Sequence, residues 1–186
     1  MRQVARLAAI AFAALATANG SGHAQDSATS APSVMDATAE VKAKSYVQQT
    51  AVDDLFAAQS SELALRKSTN PQVRSFAKNV LKDHATSSRE LKQTLENAKL
   101  DAAPPSALDP EHQRLLDALN SSSGGDFDRK YLKMQMEGHQ QALETQVDYR
   151  LHGDNPKLQD YAARASMMVQ SRMGELGKIS QGSMLQ

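Results

Sequence analysis

Two stretches 85 residues apart open alike: NPQVRSFA at 70–77 and NPKLQDYA at 155–162, with Val73 and Phe76 of the first answered by Leu158 and Tyr161 of the second. An asparagine that can accept backbone N–H bonds, followed by a proline whose missing N–H costs nothing at the first helical position, is a strong helix start. Each start lies between two helical runs, so the repeat predicts two helical hairpins, each turning at an Asn-Pro corner. The first run extends from about residue 40 to Ser68, with Val52, Leu55, Phe56 and Leu63 on one face at helical spacing. The second reaches about Ala98, the third runs from Asp126 to Leu151 before Gly153, and the fourth from Pro156 to about Ile179.

Between the hairpins, Pro104-Pro105 stops the second helix and Asp109-Pro110 opens a short one carrying Leu115, Leu116 and Leu119. No segment has the alternation of a strand. Four long helices and a connection of this length predict an all-α fold, a ferritin-like four-helix bundle built from two helical hairpins. A helix of about 28 residues is about 40 Å long, and the connection between the hairpins is long enough to cross that length.

The chain divides accordingly. Residues 1–24 carry Arg2 and Arg6, then an uncharged run from Leu7 to Ala18, then small residues Gly22 and Ala24 before a cut: the pattern of a signal peptide cleaved after Ala24. The apolar run is about 12 residues where about 20 are needed to span a bilayer. Residues 25–39 have the small, polar composition of a flexible linker, residues 40–180 form the bundle, and 181–186 are a polar tail. Cleavage of 24 of the 186 residues leaves 162, enough for one domain. Without Arg2 and Arg6 there are 19 basic against 21 acidic side chains, so no electrostatic footprint for nucleic acid is expected. No transmembrane helix is expected after cleavage. The chain has no cysteine, which removes disulfides and thiolate metal sites from consideration. These features predict an exported, periplasmic bacterial protein.

The candidate site comes from polar residues on apolar faces. His84 projects into the sector of Val80, Leu81 and Leu91, and His139 lies opposite the charged face of Lys130, Lys133, Glu137 and Glu144, with Gln135 and Gln146 on its own side. Gln59 falls between Phe56 and Leu63, and Arg172 beside Met168, Val169, Met173 and Leu176. An interior polar stripe of His84, His139, Gln59, Gln135 and Arg172 is the expectation, its members meeting each other, water or a ligand. A di-iron centre needs Glu-x-x-His on two helices, but Leu81 and Met136 stand three residues before the histidines, and Asp128 is the one carboxylate expected on an inner face. A mononuclear zinc or copper ion on His84 and His139 is chemically feasible, with Arg172 opposing it. Met134, Met136, Met167, Met168 and Met173 suit Cu(I) but also suit a flexible core. Paired core histidines with no metal or cofactor are the simpler expectation. His112 and His152 are expected at solvent. No serine stands in a glycine-flanked elbow, so a nucleophilic enzyme is not suggested.

The stretches ELALRKSTNPQVRSFAKNVLKDHATSSREL and LDPEHQRLLDALNSSSGGDFDRKYLKMQMEGHQQALE resemble the DUF4142 proteins over roughly residues 43–180. The resemblance rests on the Asn-Pro start, Lys82-Asp83-His84, the FDRKYL opening of the third long helix and His139. It implies an exported bacterial protein of unknown function with a ferritin-like bundle. Family members commonly carry Asp-His where this chain has Gly138-His139, a glutamate near the place of Gln59, and a histidine where Arg172 aligns. The resemblance therefore implies that this chain lacks two ligands of any family metal site. A non-enzymatic role in envelope maintenance or stress tolerance is the expectation, with metal binding or storage through core histidines as the alternative; neither names a protein partner.

Overall fold

The Asn-Pro corners fold as their sequence demands. In the computed structural model, which describes residues 34–184 with side chains from 42 to 181, Asn70 accepts from the backbone N–H groups of Gln72 and Val73 at 2.9 and 3.4 Å. Asn155 does the same for Lys157 and Leu158 at 3.0 and 3.2 Å. The helices are α1 (Val34–Lys67), α2 (Pro71–Ala98), α3 (Pro110–Asn120), α4 (Gly124–His152) and α5 (Pro156–Met184), with no strand among the described residues. The signal segment and residues 25–33 lie outside the described residues. α1 takes in residues 34–39 of the stretch expected as linker, and α5 reaches residues 181–184 of the expected tail.

Each end of an element has a local cause. α2 closes at Lys99, whose φ of 54° places it in the left-handed region, so that Leu100 N–H reaches back to Leu95 O at 3.1 Å. Asp109 caps α3 through bonds of 2.9 Å from both Glu111 and His112 N–H. α4 stops at Gly153, where an added Cβ would lie 2.3 Å from Tyr149 O, too close for any other residue without a backbone shift.

α1 packs against α2 and α4, and α5 against α4 and α2, while α3 lies on α1 and α4. The apolar core falls into two clusters. One gathers Leu63, Val73, Phe76, Val80, Phe127, Tyr131 and Leu176; the other gathers Tyr46, Val47, Leu91, Leu95, Tyr149, Leu158 and Tyr161. The order in which each helix meets them shows its direction: α1 and α5 pass from the second cluster to the first, α2 and α4 from the first to the second. α2 and α4 therefore run the same way, and the connection between them returns along the length of the helical bundle. No helix among the described residues is long and apolar enough to cross a membrane.

α1 buries polar side chains as well as apolar ones. Thr50, Ser60 and Ser61 are all buried. Ser60 Oγ donates to Phe56 O and Ser61 Oγ to Ala57 O, both at 2.7 Å, so these hydroxyls are satisfied within their own helix. Ser61 Oγ also meets the Tyr131 hydroxyl of α4 at 2.8 Å.

Candidate functional site

Between the two apolar clusters, at mid-height on every long helix, lies a cavity of about 280 Å³. Thr50, Asp53, Asp54 and Phe56 reach it from α1, Ser87 from α2, Gln135, His139 and Gln146 from α4, and Tyr161 and Met168 from α5; His112 and Leu115 of α3 close over it. A helix buries its inner face continuously, so polar side chains of α1, α2 and α4 at the same height, facing the Tyr161 ring and Met168 of α5, interrupt the core at one level.

His139, 8% exposed, donates Nδ1–H to the Gln135 carbonyl at 2.8 Å, which leaves Nε2 as the ring nitrogen with a lone pair. Burial, aided by the nearby Arg172 charge, holds its pKa below the ordinary value. Gln135, 2% exposed, spends its amide N–H groups on Ser60 Oγ at 2.8 Å and Ala57 O at 3.4 Å, while its Oε1 has no hydrogen-bond partner. Gln146 donates to Thr50 Oγ1 at 3.2 Å and accepts from the Tyr46 hydroxyl at 2.5 Å.

Two carboxylates of α1 correct the expectation that Asp128 alone faces inward. Asp53 accepts from Gln49 Nε2 at 2.9 Å through Oδ1, but its buried Oδ2 has no hydrogen-bond partner, and desolvation raises its pKa. Asp54 gathers three donors on Oδ2: His84 Nδ1 at 2.8 Å, Ser87 Oγ at 2.8 Å and Ser88 Oγ at 3.2 Å. The hydrogen bond to Asp54 raises the pKa of His84. Asp128 is half-buried at the start of α4, with Oδ1 shielded and without a hydrogen bond.

His112 is a second correction. Expected at solvent, its side chain is 18% exposed: Nδ1 donates to Asp109 Oδ2 at 2.7 Å, Nε2 lies 3.7 Å from Asp53 Oδ1, and the ring meets the Phe56 ring at a centroid distance of 5.0 Å. The Asp-Pro-x-His spacing puts a histidine at the third helical position, where it can turn back to its cap; that local pattern is visible in the sequence, the meeting with Asp53 is not. His152 is exposed and pairs with Asp148 at 2.9 Å.

The structure distributes the expected polar stripe over three places. Gln135 and His139 share the mid-height cavity. Gln59 and His84 line a second, more open groove of about 430 Å³ with Glu62, Arg66 and Asp117. Arg172 sits in neither cavity: its Nε lies 2.7 Å from Asp83 Oδ2 and its Nη1 contacts Glu175, which also accepts from Asn79 at 2.9 Å. The cation is thus neutralised by carboxylates on α2 and α5, and burial raises the pKa of Asp83 against that pairing. Among the described residues no three His, Asp or Glu side chains converge as a metal-ligand group.

A family model described as a domain of unknown function, DUF4142, matches residues 28–179. The chain belongs to the DUF4142 family. No curated protein matches it. The structure of this DUF4142 protein is similar to a crystal structure described as a DUF305 fragment from Deinococcus radiodurans, at 17% identity over 74% of this chain and 94% of that one, with a TM-score of 0.64. It is similar also to CopM in the Cu(I)-bound form, at 20% identity over 75% and 95% of the two chains with a TM-score of 0.60. The Cu(II)-bound form gives 18% identity, the same coverage and a TM-score of 0.62. At these identities the shared property is the helical fold.

Proposed function

We propose that this DUF4142 protein is a non-enzymatic binding protein of the bacterial envelope, exported to the periplasm, serving envelope maintenance or stress tolerance, with the mid-height cavity as its ligand site. The ferritin-like reading of the bundle belongs to this proposal and is supported by α2 and α4 running the same way. The observation that carries the proposal is the pair of oxygens, Asp53 Oδ2 and Gln135 Oε1, on residues that line the cavity without hydrogen-bond partners. A buried polar group left unpaired costs on the order of 1–3 kcal/mol, which a bound ligand's donors or charge would offset. The non-enzymatic part is supported by the Ser-His-Asp geometry: Ser88 and Asp54 both address His84 Nδ1, at 3.4 and 2.8 Å, whereas acyl transfer needs hydroxyl and carboxylate on opposite ring nitrogens.

A second reading, metal binding, is favoured by one specific arrangement. His139 is fixed through Nδ1–H on a backbone carbonyl, as metal-ligating histidines usually are, and Met134 and Met168 line the same cavity. An imidazole with thioethers suits Cu(I), and the copper-bound CopM structures share the fold. His84 belongs to the other groove and would not join that ion.

The test uses periplasmic material. Edman sequencing should begin at Gln25; an intact Met1 in the membrane fraction would overturn export with cleavage. Native mass spectrometry should show a bound organic mass, or a panel of small molecules should raise Tm. One copper per chain that is lost in His139→Ala would instead establish the second reading. A chain that retains no metal or organic mass and whose Tm no panel member raises would overturn the binding proposal.

A further inference from the structure

The cavity's chemistry selects a ligand class. It is lined by three carboxylates, Asp53, Asp54 and Glu137, and by no lysine or arginine. Its donors are largely spent inside the protein: the Gln135 amide on Ser60 and Ala57, the Gln146 amide on Thr50, the Ser87 hydroxyl on Asp54, and His139 Nδ1–H on the Gln135 carbonyl. What remains on these buried residues are acceptors, namely Asp53 Oδ2 and Gln135 Oε1, both shielded and without a hydrogen bond, and the lone pair of His139 Nε2; the Tyr161 hydroxyl can act either way, and the one further amide of the lining, that of Gln141, is exposed. An anion would find few donors here, and a neutral apolar molecule would leave the acceptors unpaired.

We propose that this cavity binds a small amphiphilic organic cation, a primary ammonium group on a short hydrocarbon body; the proposal rests on the reading of the cavity as the ligand site. An ammonium group brings three donors and no acceptor, the complement of what the lining leaves open. Its charge is matched by Asp53, since Asp54 already holds His84, and charge-assisted hydrogen bonds are about twice as strong as neutral ones. The hydrocarbon body meets Phe56, Leu115, Met134, Met168 and Val169. A volume of about 280 Å³ is at the small end of ligand pockets, which fixes the body as short. A bare hard cation fits less well. Such ions need six or more oxygen ligands, and no three His, Asp or Glu side chains among the described residues are placed to hold a metal ion.

The experiment is isothermal titration of the mature chain at neutral pH with three probes of one length, n-hexylammonium, 1-hexanol and hexanoate, with chemical-shift mapping to place binding at Gln135 and His139. Hexylammonium is expected to bind about tenfold or more tighter than hexanol, the worth of about one charge-assisted contact, and hexanoate weakest. Asp53→Asn should lower hexylammonium affinity about tenfold and leave hexanol unchanged. Equal binding of hexylammonium and hexanol, or preference for hexanoate, would overturn the cation class while leaving the cavity a ligand site. Stoichiometric copper on His139 with no binding of the three probes would overturn it in favour of the metal reading. Silence of all three probes and of copper would remove the cavity reading as well. Should Asp53→Asn fail to fold, the comparison of the three probes on the parent chain decides alone.

Discussion

His84 donates Nδ1–H to Asp54 and His139 donates its own to a backbone carbonyl, and this difference in partner gives the two rings opposite pH behaviour. The His84 pKa is raised above its ordinary 6.5, so the pair's stabilisation is complete below about that pH and is lost as pH rises through the raised value. His139 is held below 6.5 because burial opposes its charge, so its contribution is present above that pH and is lost as pH falls toward the lowered value. Urea unfolding of His84→Gln and His139→Gln between pH 5 and 8 should separate the two: the first variant loses the decline of stability on the alkaline side, the second the decline on the acid side. Each is compared with the parent, so that the raised carboxyls of Asp53 and Asp83 cancel. Parallel curves for parent and variants would show that neither ring is linked to folding. At this scale the inward aim of His139 was legible because charged residues mark the opposite face of its helix. Asp53 and Asp54 were not, because a hydrophobic pattern cannot register an inner face that carries carboxylates.

At the scale of the element, α2 and α1 make a useful contrast. α2 buries Val73, Phe76, Val80, Leu91 and Leu95 along one stripe, and its start, stop and apolar stripe were readable from its residues, while the burial of Ser87 and Thr94 and the partial exposure of Leu81 and His84 were not. α1 turns Thr50, Ser60 and Ser61 into the core with their hydroxyls satisfied by side-chain partners or by carbonyls one turn back, so its apolar residues alone under-report its inner face. The Asn-Pro corners were legible for a local reason: cap and proline act within three residues and need no tertiary partner. Each cap accepts two backbone N–H bonds, and Asn70→Ala or Asn155→Ala should each cost about 1 kcal/mol, read as a lower urea midpoint at unchanged slope. An effect within a few tenths of a kcal/mol would show that water replaces the cap. α3 illustrates the limit of local reading. Its cap was evident from Asp109-Pro110, but its docking through His112 toward Asp53 joins residues far apart in sequence.

At the scale of the whole molecule, the chain direction inferred from the two apolar clusters explains why so long a connection is needed between α2 and α4. Helix count and hairpin pairing could be read from periodicity and corners; the division of the core into two clusters with a polar layer between them could not, since it depends on side chains meeting at one height from four helices. Hydrogen exchange should reveal that division. Amides of 134–146 in α4 are expected to exchange faster than those of 73–80 in α2 or 158–165 in α5, and a cavity ligand should slow the former selectively. Uniform protection along α4 would contradict a separate middle.

That layering has a mechanical side. Four rods gripped by apolar contacts toward both ends are held together chiefly there, because each packed side chain adds dispersion contacts that the cavity between the clusters forgoes. An occupant of the waist would supply the contacts this level forgoes and brace the four rods at a third height.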